Sequence, residues 1–396
     1  MANDFFHKYI PSSIEYVIKG MAEGQARDKL VQLVTVSEIE LCKQLCSMLD
    51  AFLPRTISRH LKCSDMEAIF LYCVIWSVGA HLDQLSRTKF DTFITALYQG
   101  PIPENNIMYS LYYDIEACKW KSWDARVQPF EEPRPYRFYK VTVQTKATAI
   151  LQNMLQQVGP LRPLMFAGES GTRKTSTIES FVATLRQEAF SRLDIKMSCR
   201  TSSLDVQRNI EANIEKVTGN IYGARNGKML VVFIDDLNMA SVDRYGTQEP
   251  VALLLTLLDH GFMFSRAKDL SQKVIKNLQC IVASSTPGNG RTSVDTRFVS
   301  RFNVLGLTEP DYEELFTIFD IIIKSRLSEF DHSIKECTSK LTEATIRVFQ
   351  SVRENLAPTP SKFHYIYNLK DISRVCEGIC SVQPENVKNV FISFLT

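Results

Sequence analysis

The chain has 396 residues, 45% of them hydrophobic, which is enough to form the cores of two or three domains. Its formal net charge of +2 argues against binding to nucleic acid or to an anionic membrane, and no apolar stretch is long enough to span a bilayer. The ten cysteines contain no Cys-x-x-Cys pair and the six histidines do not cluster with them, so neither a disulfide framework nor a zinc site is indicated.

Residues 1–98 have the pattern of a helical region. Apolar residues recur at three- and four-residue spacing over residues 37–52 and again over residues 65–85. Between residues 100 and 135 the composition changes, with five prolines, the last of them Pro135, that indicate turns and extended segments. We therefore expect a domain boundary in this stretch.

A phosphate-binding loop follows the apolar run 164–167 and precedes a helix-compatible run to about residue 187, which is the context that such a loop requires. Its backbone N–H groups and the helix N-terminus would bind β- and γ-phosphates. Lys174 would add a point charge, and the Thr175 hydroxyl would ligate Mg²⁺. Arg173 occupies a position where glycine is expected. The residues predicted to bind nucleotide here are Gly168, Glu169, Ser170, Gly171, Thr172, Arg173, Lys174, Thr175 and Ser176.

The second half of a nucleotide site follows in the expected order. Residues 230–234 are continuously apolar and end in Asp235 and Asp236, a pattern typical of a strand buried on both faces of a parallel sheet. Open α/β sheets bind ligands at the carboxyl ends of their strands, so Asp235 is placed to hold Mg²⁺ directly or through water. The two halves together predict a site for ATP or ADP with Mg²⁺.

Helices and strands alternate from residue 136 to about residue 307, which predicts an α/β fold with a mostly parallel sheet and helices on both faces. Beyond residue 310 the pattern is helical again. Besides the segments already described, the predicted elements are strands over 193–198 and 278–285 and helices over 206–217, 249–260, 312–327, 341–356 and 371–380.

Three longer motifs carry a family resemblance. They are Phe233-Ile234-Asp235-Asp236-Leu237-Asn238-Met239 with Asp243-x-Tyr245-Gly246-x-Gln248-x-Pro250, then Gly290-Arg291 with Arg297-Phe298 and Arg301-Phe302-Asn303, and finally residues 363–375. Together they resemble the third AAA+ module of dynein heavy chains. The loop at 168–172, with a non-glycine residue before Lys174, looks most like axonemal inner-arm heavy chains of the two-headed type.

The resemblance covers nearly the whole chain and implies an AAA+ P-loop domain flanked by helical lids. The family has a ring of six AAA+ modules on one large chain, with a stalk that reaches the microtubule. We therefore expect a fragment of a larger product or a truncated relative. The implied domains are the lid of the second module at 1–110, a linker at 111–135, the large nucleotide-binding domain of the third module at 136–309 and its incomplete lid at 310–396.

The resemblance also implies roles for residues outside the loop. Asp236 stands where the family usually has a water-activating glutamate, and Ser285 lies where AAA+ proteins usually have an asparagine sensor. In the lid, Lys370 and Arg374 are the implied nucleotide contacts, with Lys370 replacing an arginine of the family. The implied arginine fingers, which would serve the nucleotide of the preceding module, are Arg297 and Arg301.

Several of these roles have alternatives. Asp236 could be a buried partner of a backbone donor, and Arg297 and Arg301 could form ordinary surface ion pairs. Arg173 costs on the order of 1 kcal/mol if its position requires positive φ, or its guanidinium adds a phosphate contact. Asp236 is also one methylene shorter than glutamate, and a misplacement on the order of 1 Å can cost about a hundredfold in rate.

These departures favour nucleotide binding without fast turnover. The predicted function is an ATP- or ADP-binding regulatory module of an axonemal dynein heavy chain, part of a microtubule-based motor for ciliary movement in the cytoskeleton of the axoneme. Two alternatives remain: a catalytically active ATPase with Asp236 as the base, and a degenerate module that completes a ring or binds another subunit. The implied partners are other AAA+ modules of the same heavy chain, dynein intermediate and light chains, and microtubules through parts outside this sequence.

Overall fold

The computed structural model describes residues 2–20, 30–53, 62–103, 106–133, 136–138, 141–268, 270–288, 290–362 and 364–382. Two residues that contribute to the sequence-based predictions, Pro135 and Phe363, lie outside this set. The part of the predicted lid domain beyond residue 382 also lies outside it.

The described residues form helices and strands that alternate through the middle of the chain. The helices are α1 (Ala2–Lys19), α2 (Glu38–Phe52), α3 (Cys63–Ile75), α4 (Gln84–Leu97), α5 (Lys146–Gln157), α6 (Lys174–Thr184), α7 (Ser203–Ala212), α8 (Glu249–His260), α9 (Thr296–Val299), α10 (Tyr312–Arg326), α11 (His332–Asn355) and α12 (Leu369–Cys380). The strands are β1 (Leu111–Asp114), β2 (Lys119–Ser122), β3 (Leu164–Gly168), β4 (Phe190–Lys196), β5 (Ile214–Thr218), β6 (Ile221–Ala224), β7 (Met229–Asp235), β8 (Phe262–Phe264), β9 (Gln272–Ile275), β10 (Leu278–Ser284) and β11 (Asn303–Leu307).

These elements belong to two compact units. The first comprises Met1–Ala125, Ile150–Glu169 and Lys174–Thr308. The second comprises Arg126–Ala149, Ser170–Arg173 and Glu309–Thr396. The four central residues of the phosphate-binding loop are therefore grouped with the C-terminal helices, while Lys174 and the helix that it begins belong to the first unit.

A five-stranded sheet forms the centre of the first unit. Its order is β11-β3-β10-β7-β4, and all neighbouring strands are parallel. Ile281 of β10 is level with Leu164 of β3 on one side and with Phe233 of β7 on the other. Because parallel strands end at the same edge, the loop after β3 and Asp235 at the end of β7 lie at one edge of the sheet. This arrangement confirms the predicted α/β P-loop fold.

Strand β11 lies at the edge of the sheet but is buried along its whole length. The helical region covers it with hydrogen bonds: the Gln44 amide donates to the Val304 carbonyl and accepts the Val304 N–H, both at 3.0 Å. The Gly306 N–H donates to the Ala80 carbonyl at 2.7 Å. The polar backbone groups that an edge strand normally presents are thus satisfied inside the first unit.

The predicted helix over 65–85 is wrong, because two helices occupy this stretch. α3 ends at Ile75, and α4 begins at Gln84 after Asp83, whose carboxylate accepts the Ser86 N–H at 2.8 Å. An aspartate N-cap in an extended conformation starts a new helix. Apolar spacing alone does not reveal this interruption, since residues 68–82 are buried continuously across the end of α3.

The predicted helix over 206–217 is also too long. α7 ends at Ala212, and β5 then pairs antiparallel with β6, with Thr218 opposite Ile221. The two residues between these strands include Gly219, whose φ of +56° suits a tight turn. β5 and β6 join β9 and β8 in a four-stranded sheet of the order β5-β6-β9-β8, which no pattern in the sequence indicates.

The second unit has its own hydrophobic core, formed mainly by α10, α11 and α12. Leu369 and Ile372 of α12 contribute to it, together with Val143 from the segment before α5. None of the described helices in either unit has the length and apolar character that a membrane crossing needs.

Candidate nucleotide-binding site

The phosphate-binding loop connects a fully buried strand, β3, to the first turn of α6. Two of its residues have left-handed backbone conformations: Gly171 has φ of +96° and Arg173 has φ of +61°. Consecutive turns of this kind direct backbone N–H groups to one side of a loop, which is the arrangement that binds anions. The backbone conformation is therefore that of a phosphate-binding loop, even though Arg173 replaces a glycine.

Lys174 begins α6 and is only 7% exposed. Its Nζ donates to the carbonyl oxygens of Gly168 at 2.8 Å and Glu169 at 2.7 Å. The ammonium group is thus held over the loop by the backbone. To bind a phosphate it would exchange one or both of these carbonyls for phosphate oxygens, which are stronger acceptors.

Thr175 and Asp235 join the two halves of the predicted site. The Thr175 hydroxyl lies 3.1 Å from both carboxylate oxygens of Asp235. Burial raises the pKa of Asp235, and the neighbouring Asp236 raises it further. A hydroxyl and a carboxylate are oxygen ligands of the kind that Mg²⁺ prefers. These two side chains fit a Mg²⁺ ion, which would neutralise Asp235 and the phosphate oxygens.

Among the described residues, no three side chains of His, Cys, Asp or Glu lie together as a metal-binding group. A Mg²⁺ ion held by Thr175 and Asp235 would complete its coordination with water and the nucleotide's own phosphates, which is the usual way that Mg²⁺ binds with nucleotides.

Asp236 follows β7 in a left-handed conformation, with φ of +51°. Its backbone N–H donates to Asp235 Oδ1 at 3.1 Å. Its side chain is 45% exposed and forms an ion pair with Arg291, whose Nη2 lies 3.4 Å from Asp236 Oδ1. The carboxylate is therefore a partly exposed partner of an arginine, which contradicts the alternative that it is a buried acid bonded to a backbone donor.

Ser285, the candidate sensor, follows the end of β10 and is 3% exposed. Its backbone is held by Asn238: the Asn238 Nδ2 donates to the Ser285 carbonyl at 2.7 Å, and the Ser285 N–H donates to Asn238 Oδ1 at 3.4 Å. Two hydrogen bonds thus connect the end of the sensor strand to the segment after the two aspartates. The catalytic roles of Ser285 and Asp236 stay predictions.

Arg173 is anchored within the second unit. Its Nη1 donates to the Val143 carbonyl at 3.1 Å. Burial lowers the pKa of its guanidinium, and Glu314 offsets part of that effect. A Cβ atom at Gly171 would lie 3.0 Å from Leu369 Cβ, so the loop packs closely on the start of α12. Both contacts explain why residues 170–173 belong to the second unit.

The lid candidates Lys370 and Arg374 lie on α12 and are exposed. Asp371, between them, caps the helix by accepting the Asn368 N–H at 2.9 Å, and Arg374 pairs with Asp371 at 3.4 Å. Because Leu369 contacts Gly171, Lys370 follows directly after a residue that touches the loop. Its contact with nucleotide stays a prediction.

The two arginine-finger candidates differ in their surroundings. Arg301 forms an ion pair with Asp259 of α8, whereas Arg297 is exposed and has no ion-pair partner in the part of the chain that the structure describes. The alternative of an ordinary surface ion pair therefore fits Arg301. Arg297 is the candidate whose charge is available to another molecule or module.

Two residues of this site, Asn238 and Arg291, were not predicted to act in it. Both belong to the motifs that carry the family resemblance, but the sequence gives no reason to connect Asn238 with Ser285 or Arg291 with Asp236. The contacts span 47 and 55 residues respectively. The only available indication was their occurrence in the same motifs.

Comparison with known protein families gives three matches that together cover most of the chain. The profile described as "P-loop containing dynein motor region" matches residues 130–310. "Dynein heavy chain AAA lid domain" matches residues 2–125, and "Dynein heavy chain, ATPase lid domain" matches residues 320–394.

Individual relatives are also similar over most of the chain. Dynein axonemal heavy chain 10 of Homo sapiens is 38% identical over 98% of this chain and 9% of its own length. Dynein-1-alpha heavy chain of the flagellar inner arm I1 complex of Chlamydomonas reinhardtii is 37% identical over 94% of this chain and 8% of its own length. Dynein axonemal heavy chain 2 of Homo sapiens is 31% identical over 89% and 8% respectively. The chain thus spans less than a tenth of the length of these relatives.

Proposed function

The chain belongs to the dynein heavy chain family, and on that premise we propose that its phosphate-binding loop forms a regulatory site for Mg-ATP or Mg-ADP with slow or absent hydrolysis. The observation that best supports this function is the contact between Thr175 and Asp235. It brings a loop hydroxyl and a strand-end carboxylate, distant in sequence, to one place beside Lys174. This is the arrangement that Mg-nucleotide binding requires.

Slow turnover is proposed from the surroundings of Asp236. Hydrolysis by an AAA+ module depends on the positioning of water and on positive charge for the transition state. The Asp236 side chain is short and its carboxylate is paired with Arg291. The ion pair therefore influences the orientation of the carboxylate, which is not free to follow the attacking water alone. An arginine from a neighbouring module would also be needed, and such a residue can contribute about a thousandfold.

The relatives extend the proposal to the whole protein. They are named as axonemal and flagellar inner-arm heavy chains. We therefore place this module in a microtubule-based motor for ciliary movement that works in the axoneme. Its proposed partners are the other AAA+ modules of the same heavy chain and the intermediate and light chains, with microtubule contact through segments outside this sequence.

Nucleotide titration of the purified chain tests the proposed site. Fluorescent ADP and ATP analogues should bind in the presence of Mg²⁺, and Lys174→Ala should weaken binding by roughly ten- to a hundredfold, because it removes a charge-assisted contact to phosphate. Lys216→Ala, at an exposed lysine on β5, is the matched control and should leave affinity unchanged. Absence of binding by the wild-type chain would instead favour a degenerate interaction module.

An active ATPase is the alternative that one observation favours. The Asp236 carboxylate is 45% exposed, so water can reach it. Single-turnover phosphate release from bound ATP separates the two functions: a regulatory site retains its nucleotide over many minutes, whereas an active site releases phosphate rapidly and loses that activity in Asp236→Asn.

A further inference from the structure

An ion pair between Arg291 and Asp236 joins the segment after the sensor strand to the candidate water-activating acid. The Arg291 Nη2 lies 3.4 Å from Asp236 Oδ1, and the Arg291 side chain is 22% exposed. Nε of the same guanidinium is buried and has no hydrogen-bond partner among the described residues. The ion pair with Asp236 is therefore the electrostatic contact of this guanidinium among the described residues.

The backbone holds Arg291 in a fixed position. The N–H groups of Gly288 and Arg291 each donate to the other's carbonyl, at 3.0 and 2.9 Å. Gly288 has φ of +121° and Gly290 has φ of +81°, conformations that suit glycine and close the turn. Thr292 then donates through its backbone N–H to the Asn238 carbonyl at 3.1 Å. The turn is thus anchored to the segment that follows Asp236.

Asp236 is equally constrained from its own side. Its left-handed backbone and its N–H bond to Asp235 Oδ1 fix the direction in which its side chain leaves β7. Asn238, two residues later, is 1% exposed and bonds to Ser285, at the start of the segment that carries Arg291. Both partners of the ion pair are therefore held by the same network, through Asn238.

We propose that Arg291 is a positioning residue that restrains Asp236 and thereby limits hydrolysis at this site, an inference that rests on the proposed function. In hydrolysis, water adds to the γ-phosphorus while the bond to the β-phosphate oxygen breaks, and the carboxylate of Asp236 takes a proton from that water. While Asp236 Oδ1 is paired with the Arg291 guanidinium, the short side chain is less free to turn toward the attacking water. Because both side chains are partly exposed, water competes with the ion pair for the two charged groups.

The first test needs no nucleotide. Carbodiimide labelling of carboxylates with an amine, followed by peptide mass spectrometry, measures how freely Asp236 reacts. Arg291→Gln should raise labelling of Asp236 several-fold, and Arg291→Lys should stay close to the wild type because a cation is retained. Arg297→Gln, an exposed arginine on the following helix, is the matched control. Equal labelling of Asp236 in the Arg291→Gln variant and in the wild type would overturn the proposal that Arg291 restrains Asp236.

The second test is the single-turnover rate of ATP hydrolysis. Arg291→Gln should raise this rate about tenfold with nucleotide affinity unchanged, and the double variant Arg291→Gln, Asp236→Asn should lose the increase. A lower or unchanged rate in Arg291→Gln would overturn the proposal, since Arg291 would then act on phosphate or on the fold. Failure of the wild type to bind nucleotide would refute the proposed function, and the labelling result would still decide whether Arg291 restrains Asp236.

Discussion

Arg173 combines a strained backbone with an anchored side chain. Its φ of +61° confirms the hypothesis that this position of the loop requires a left-handed residue, which glycine adopts without strain. The hydrogen bond from its guanidinium to the Val143 carbonyl offsets that strain. The loop is therefore held in its phosphate-binding conformation by a contact that a glycine could not make.

Two substitutions at Arg173 separate these effects. Both remove the hydrogen bond to Val143, but Arg173→Ala keeps the strain of positive φ and Arg173→Gly relieves it. We expect the glycine variant to be more stable than the alanine variant by about 1 kcal/mol in chemical denaturation of the nucleotide-free chain. At Arg374, exposed on α12, the alanine variant should instead be more stable than the glycine variant by about 1 kcal/mol, because glycine weakens a helix. Equal stability of the two Arg173 variants would contradict the left-handed conformation.

Asp91 gives the fold a pH dependence of its own. Burial raises the pKa of Asp91 to about 6 from 3.8, although its Oδ1 accepts the Met108 N–H at 2.7 Å. The folded chain therefore holds this proton more tightly than the unfolded chain does. The resulting stability is fully present below about pH 4 and is lost as the pH rises through about 6.

Asp91→Asn removes this dependence and keeps an acceptor for Met108. We expect the variant to be more stable than the wild type by on the order of 1 to 2 kcal/mol at pH 7.5. This figure follows from the pKa shift of Asp91, and it is lowered because the side chain is partly exposed to solvent. The difference should vanish near pH 4, as judged from thermal unfolding midpoints across this range. Asp50→Asn, at an exposed position on α2, should show no such trend. If the difference in stability between Asp91→Asn and the wild type were the same at all pH values, the pH dependence would not come from Asp91.

At the scale of elements, Gln44 is the side chain that closes the edge of the central sheet. Gln44→Ala would leave the buried N–H and carbonyl of Val304 without partners, and each such loss costs about 1 to 3 kcal/mol. We expect a marked fall in the unfolding midpoint. Gln84→Ala, at an exposed glutamine on α4, should change stability by less than about 0.5 kcal/mol. Equal effects of the two substitutions would show that the edge is held by packing alone.

The elements that the sequence predicted well have strong local patterns. α8 begins at Glu249 and ends at His260 as expected, because Pro250 and Gly261 mark its two ends. β3, β7 and β10 are mostly apolar along their length, a pattern typical of strands buried on both faces of a parallel sheet. β11 and the sheet of β5, β6, β8 and β9 were missed, because these strands are only three to five residues long. The partner of β11 is β3 and the partner of β6 across the sheet is β9, and both of these partners are distant in the chain.

The same difference applies to the candidate site. The loop, Lys174, Thr175 and Asp235 follow from motifs whose residues are neighbours in sequence. The partner of Asp236 could not be predicted, because Arg291 reaches it only once β10 lies beside β7. The anchor of Arg173 on Val143 depends in the same way on the packing of the second unit.

At the scale of the whole molecule, Arg297 is the residue that we propose to act only in a larger assembly. It is exposed, whereas Arg301 is engaged by Asp259. We expect Arg297→Ala to leave stability and nucleotide affinity of this chain unchanged, and Arg301→Ala to lower stability by at most about 1 kcal/mol, as is usual for a surface pair.

The decisive measurement for Arg297 needs a full-length heavy chain. There, Arg297→Ala should slow ATP hydrolysis by the preceding module, and Arg301→Ala should do so much less. If the two substitutions slowed hydrolysis equally, exposure would not distinguish the finger from its neighbour.

The closed edge at β11 determines where the chain can be cut for laboratory production. The motor-region profile begins at residue 130, and a shortened chain starting there would lack both Gln44 and Ala80. The backbone of Val304 and Gly306 would then be open to strand addition by a second copy, which is a common route to aggregation. A soluble preparation should therefore keep the helices from residue 30 onward, although they match the lid profile of a different domain.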